Sequence, residues 1–260
     1  MEVIIAPSAG EASAQAARIT ASLIRRKPRA VLGLPTGTTP LVFYDELVAM
    51  HTRGEIDFSE VTTFNVDEYA GLPPDHPQSY AAFMRDHLFS RVNIAHWRAH
   101  MPNGMSPDIA KHCEAYELAI LESGGIDLQL LGLGADGHIG FNEPSSSLGS
   151  RTRLKTLTEQ TIRDNARFFA SPEEVPRHVI TMGVGTILDA RRCLVLAFGA
   201  QKAAAVAAMV EGPVTASCPA SALQMHPSCA LFMDEAAAAQ LQRADYYRWV
   251  YANKPDWQRA

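Results

Sequence analysis

Short apolar runs alternate with segments of helical periodicity along most of the chain, and this alternation constrains the fold more than any other feature. Residues 2–6, EVIIA, read as a strand, and residues 11–26, EASAQAARITASLIRR, set Ala16, Ile19, Leu23 and Ile24 at helical spacing. AVLGL (30–34) precedes the helical LVFYDELVAM (41–50), and VTTFNV (61–66) precedes SYAAFMRDHLF (79–89). IDLQLLGLG (126–134), HVITMGV (178–184), CLVLAFG (193–199) and ALFMD (230–234) complete the strands, with AQKAAAVAAMVEG (200–212) as the helix after CLVLAFG. Such a pattern predicts an α/β fold with a mostly parallel sheet flanked by helices. No repeat, low-complexity tract or break in composition marks a linker, so the 260 residues read as a single domain, 1–260. Residues 144–174 are polar, basic in their first half and weakly periodic; they read either as a lid or interface segment or as an exposed helix with its loops.

Bulk chemistry removes several classes of function. A net charge of −5 gives no indication of nucleic acid or an anionic membrane as a bulk partner, so an anionic ligand needs local donors. No unbroken apolar run approaches the roughly 18 residues of a membrane span. Cys113, Cys193, Cys218 and Cys229 show neither a C-x-x-C pair nor zinc spacing, and no secretory signal is apparent; reduced thiols in the cytoplasm are expected.

In a parallel sheet the C-terminal strand ends share one rim, where ligands bind. The loops there are PTGTTP after AVLGL, DEY after VTTFNV, ADGHIGFNE after LLGLG, and AQK after LVLAFG. PTGTTP supplies hydroxyls and a glycine, with Thr39 read as a helix N-cap and Pro40 as its first helical residue; such an N-terminus suits a phosphate or is simply a capped turn. Lys202 opens the next helix at its positive end, where an anion would relieve it. Asp67 and Glu68 are either an N-cap with a first-turn acid or a general base in a desolvated cleft. Asp136, His138 and Glu143 fall within eight residues: local turn chemistry accounts for each alone, while together they form an acid–imidazole relay. His96 and His100 share i,i+4 spacing but lack a third ligand and read as a surface pair; no metal site is predicted.

LGLPTGTTP (32–40), TFNVDEYAGLPPDHPQSY (63–80), LGLGADGHIGFNEP (131–144) and SRTRLKTLTEQTIRDNARFF (150–169) resemble the glucosamine-6-phosphate deaminase family. The resemblance spans about Val31 to beyond Met233. It implies a modified Rossmann-type fold and conversion of glucosamine 6-phosphate and water to fructose 6-phosphate and ammonia, with no cofactor. By the same resemblance Asp67 is the base at C2, and His138 opens the sugar ring with Asp136 and Glu143 in support. Thr36, Gly37, Thr38 and Thr39, with Arg167 and Lys202, hold the phosphate; many relatives have glycine in place of Thr38. An effector site for N-acetylglucosamine 6-phosphate, between subunits of a homo-oligomer (a hexamer in relatives), would use Ser146, Arg153, Lys155, Thr156 and Tyr247. The rivals are a 6-phosphogluconolactonase, which shares the DGH element but typically lacks FNE, and a non-catalytic sugar-phosphate sensor. The sensor would need a DNA-binding segment, for which a first strand at Val3 leaves no room.

Overall fold

The structure is a computed structural model and describes residues 1–166, 169 and 171–255. Its elements in chain order begin with β1 (Glu2–Ala6), α1 (Ala9–Arg26), β2 (Val31–Leu34), α2 (Leu41–Thr52), β3 (Thr62–Asn65), β4 (Asp67–Tyr69), α3 (Tyr80–His87), β5 (Ala99–His100) and α4 (Ile109–Glu122). Then follow β6 (Leu128–Gly132), β7 (Arg153–Thr156), α5 (Glu159–Asn165), β8 (His178–Thr181), α6 (Val184–Leu188), β9 (Cys193–Ala197), α7 (Ala203–Val210), β10 (Cys229–Asp234) and α8 (Ala244–Ala252).

Seven strands form one sheet in the order β1-β10-β9-β6-β2-β3-β5, and every pairing in it is parallel. Helices cover both faces, so the central strands are buried throughout: VLGL in β2 and CLVLA in β9 expose nothing. Alternation along each strand feeds two cores. In β9, Cys193, Val195 and Ala197 enter one core, while Leu194 and Leu196 enter the other. Helix α1 starts where Ser8 Oγ accepts the Glu11 N–H (3.2 Å), and it lays Ala12, Ala16, Ala17, Ala21 and Ile24 against the sheet. Its small residues let the helix axis approach closely.

A second sheet of three strands, β4-β8-β7, is antiparallel. HVITMGV therefore departs from its predicted place. Its strand ends at Thr181 and pairs with β4 and β7 outside the parallel sheet. A buried apolar run is the same in either sheet, so periodicity alone could not assign it. Segment 144–174 contributes β7 and α5. The sequence reading passes over α4, whose buried residues Cys113, Tyr116 and Ile120 follow i, i+3, i+7 spacing, and over α8. Of the HWRAH pair, read as lying on the surface, His96 is exposed and His100 is not. His96 lies in a single 3-10 turn, and His100 is half-buried in β5, its ring stacked on Phe64 at 4.4 Å.

Candidate active site

From β2 the chain proceeds to β3 and β5 on one side of the sheet; from β6 it proceeds to β9 and β10 on the other. The strand order thus reverses between β2 and β6, and at such a switch point the two following loops part and leave a crevice. A cleft of about 260 Å³ occupies this place. Thr36, Gly37, Thr38 and Thr39 line it from the loop after β2, His138 from the loop after β6, and Asp67 and Lys202 complete it. Loops from four strand ends, up to 166 residues apart in the chain between Thr36 and Lys202, therefore meet at one site.

Asp67 sits where the chain leaves the parallel sheet: Val66 still donates its N–H to Leu34 O, while Asp67 already pairs with Thr181 in the antiparallel sheet. The residue is 6% exposed, and burial, followed by the neighbouring charge of Glu68, pushes its pKa from 3.8 up to about 8. Tyr80 and Phe141 line the same cleft, stacked with their planes 5° apart, and Tyr69 packs against both. Glu68 is occupied differently. Its carboxylate accepts the N–H groups of Tyr80 (2.9 Å) and Ala81 (2.8 Å) at the start of α3, and that of Tyr69. The acid pair therefore divides between its two readings: Glu68 serves a helix start, and Asp67 faces the cleft.

His138 Nδ1 lies 2.6 Å from Asp136 Oδ1, and the same oxygen accepts the His138 N–H at 3.1 Å. Burial raises the Asp136 pKa, but the hydrogen bond and charge of His138 outweigh it and hold the carboxyl below its ordinary range. An ionised carboxylate on Nδ1 orients the ring and leaves Nε2 for other work. Gly134 makes room for this arrangement, since a Cβ there would lie 2.3 Å from Nδ1. Glu143 is not part of the pair. It is buried and accepts hydrogen bonds from the hydroxyls of Thr158 (3.0 Å) and Thr161 (2.5 Å), which fasten it to the first turn of α5. The three neighbours in sequence act at two places because the turn after His138 sends their side chains apart.

Helix α2 begins one residue later than the sequence suggests. Pro40 is its N-cap and no side chain caps it, so the Thr39 hydroxyl is not spent on the helix and lines the cleft instead. Half-buried Lys202 ends a 3-10 turn and caps α7. Arg167 lies outside the described residues. Among the cleft-lining residues not singled out from sequence are Tyr80, Phe141, Thr161 and Asn165. The i,i+4 spacing of Thr161 and Asn165 in segment 144–174 was the available signal.

Comparison with known proteins identifies the family. A family described as glucosamine-6-phosphate isomerases/6-phosphogluconolactonase matches residues 7–231. A glucosamine-6-phosphate deaminase of Arthrobacter sp. (strain FB24) is 57% identical over 99% of each chain. One from Streptomyces coelicolor is 54% identical over 99% of each. The chain belongs to the glucosamine-6-phosphate isomerase/6-phosphogluconolactonase family. Within this family, a solved structure described as a monomeric glucosamine-6-phosphate deaminase superposes with a TM-score of 0.90 at 44% identity, covering 92% of this chain and 100% of its own. The 6-phosphogluconolactonase of Trypanosoma brucei, at 19% identity and a TM-score of 0.74 over 92% of this chain and 98% of its own, shares the fold.

The five residues that the resemblance marks for an effector are spread over the chain. Arg153 and Lys155 alternate with Leu154 along β7, and Arg153 lines a groove against α4. Ser146 is buried with its hydroxyl unpartnered among the described residues, and Thr156 is exposed. Tyr247 lies in α8, donates to Glu211 (3.2 Å) and lines a different cavity with Met1 and Val250.

Proposed function

We propose that this chain is a glucosamine-6-phosphate deaminase, converting glucosamine 6-phosphate and water to fructose 6-phosphate and ammonia. One observation carries the reading above its rivals: a buried carboxyl with a pKa near 8 shares a cleft with an acid-oriented imidazole and a hydroxyl-rich loop facing a lysine. Hydrolysis of a lactone needs no base to move hydrogen between carbons, whereas aldose–ketose conversion does.

Phosphate is held by Thr36, Gly37, Thr38 and Thr39 with Lys202, and by Arg167. His138, oriented by Asp136, moves a proton between the anomeric hydroxyl and the ring oxygen, opening the pyranose. Asp67 then takes the C2 proton of the open-chain aldehyde and returns it to C1. The C2 imine so formed adds water and releases ammonia, which balances the reaction. A pKa near 8 suits both halves of the Asp67 task, because the carboxyl can accept the proton and keep it until C1 is ready. A protonated substrate amine beside it favours the carboxylate needed at the start. Glu143 supports the site through α5, whose Thr161 and Asn165 face the cleft; segment 144–174 is accordingly read as a lid on a single domain, 1–260.

The activator reading belongs with this function: N-acetylglucosamine 6-phosphate would bind Ser146, Arg153, Lys155, Thr156 and Tyr247 in a homo-oligomer, a hexamer by family resemblance. Two facts support it. Arg153 and Tyr247 line separate cavities of one chain, so a shared ligand would need a second copy. The Arg153 groove, about 750 Å³, also carries the exposed Leu118, Leu121 and Leu154.

Purified protein is mixed with glucosamine 6-phosphate, and ammonia and fructose 6-phosphate are assayed. Stoichiometric release of both is expected. Absence of ammonia together with hydrolysis of 6-phosphogluconolactone would transfer the chain to the other branch of the family.

A further inference from the structure

A second cleft, of about 360 Å³, opens at the opposite edge of the parallel sheet from the candidate active site. Glu2, the first residue of β1, and Arg192, immediately before β9, both mark the N-terminal ends of strands, whereas Asp67, His138 and Lys202 follow C-terminal ends. One wall is a face of α1 on which Gln15, Arg18, Ser22 and Arg25 recur at intervals of three and four residues, a single stripe along the helix. Lys254 closes the other side.

Four cations therefore face one carboxylate. Lys254 takes that carboxylate, Glu2, at 2.6 Å. Arg18, Arg25 and Arg192 have no ion pair among the described residues, although the protein carries more acids than bases overall. Arg25 in the last turn of α1 is accounted for by the helix dipole; Arg18, two turns earlier, is not. Arg192 is the strongest case. Burial lowers its pKa; Glu2 opposes that shift and the charge of Arg26 adds to it, so a guanidinium is held partly desolvated with one already engaged carboxylate for relief. Such an arrangement is costly unless an anion completes it. Guanidinium forks match phosphate oxygens in pairs, and the volume falls within the range of small-molecule sites.

We propose that the cleft lined by Arg18, Arg25, Arg192 and Lys254 binds a multiply charged phosphorylated small molecule, at a site separate from the sugar-phosphate cleft.

The test uses inorganic pyrophosphate as the probe, titrated calorimetrically at low salt. In Lys202→Ala protein, whose catalytic phosphate site is weakened, one pyrophosphate per chain should still bind. Adding Arg18→Gln and Arg25→Gln should weaken that binding by roughly tenfold or more, the worth of one charge-assisted contact. Both arginines are exposed, so the fold is not at stake. In a chain with Lys202 intact, the same two substitutions should leave turnover unchanged. Loss of all binding in Lys202→Ala alone, or unchanged affinity after the arginine substitutions, would overturn the proposal.

Discussion

Asp67 shows how much a single position depends on its surroundings. An exposed aspartate is ionised at neutral pH and is a poor base; here burial and Glu68 lift the pKa from 3.8 to about 8. Asp67→Asn keeps the shape and removes the basicity, so turnover should fall by about 10² to 10⁴ with the KM for phosphorylated sugar little changed. Near wild-type turnover would exclude Asp67 as the base. The same shift sets a pH dependence of stability. The folded pKa lies above the unfolded value, so between about pH 4 and 8 the folded protein holds a proton that the unfolded chain releases. Stability therefore declines as pH rises through that window, with a limiting slope of about 1.4 kcal/mol per unit. The melting temperature of Asp67→Asn relative to wild type should climb steadily from pH 5 to pH 8. A constant difference would show that Asp67 titrates at its ordinary value.

At the scale of elements, the turn between β6 and β7 does the separating work: it keeps Asp136 on His138 and sends Glu143 to α5. Gly140 makes this turn possible, with φ at 57° and a missing Cβ that would otherwise lie 2.7 Å from Val66 Cγ1 and 2.9 Å from Thr181 Oγ1. Both neighbours are buried, in β8 and beside β4, so neither yields easily. Gly140→Ala should cost about 2–4 kcal/mol in urea unfolding, combining left-handed strain with overpacking. A loss below about 0.5 kcal/mol would mean the turn relaxes. The link from Glu143 to α5 is tested separately. Thr158→Ala with Thr161→Val removes both hydroxyls, and kcat/KM for glucosamine 6-phosphate should drop by roughly tenfold or more, with two hydrogen bonds to a buried carboxylate lost. Unchanged kinetics would leave Glu143 a purely structural residue.

For the whole molecule, one sheet carries the candidate site at its C-terminal edge and a cleft lined by Arg18, Arg25, Arg192 and Lys254 at its N-terminal edge. The assembly is open to a direct measurement. Leu121 is 72% exposed and lies with Leu118 and Leu154 on the groove between α4 and β7. Light scattering should find a multimer of the 260-residue chain, and Leu121→Glu should dissociate it without changing the circular dichroism spectrum. A wild-type monomer at micromolar concentration would end the homo-oligomer reading and with it the shared effector site.

Much of this was legible in the chain itself. Apolar runs of four to six residues dictate strands because only a sheet covered on both faces buries them, and the polar residues after each run then fall on one rim; Thr36–Thr39, Asp67, His138 and Lys202, read in this way, all line one cleft. Local pattern has no access to pairing between distant segments. HVIT could be assigned to an antiparallel sheet only once Asp67 had met Thr181, 114 positions away. The division of labour between Asp67 and Glu68 depended on where α3 began, and that between Asp136 and Glu143 on where α5 docked. The raised pKa of Asp67 required its burial beside Glu68, and the basic cleft required α1, the residue before β9 and Lys254 to converge. Side-chain chemistry is a property of sequence, but desolvation and charge proximity are properties of three-dimensional neighbours. These decided which of the acids had its pKa pushed up and which arginines have no ion pair among the described residues.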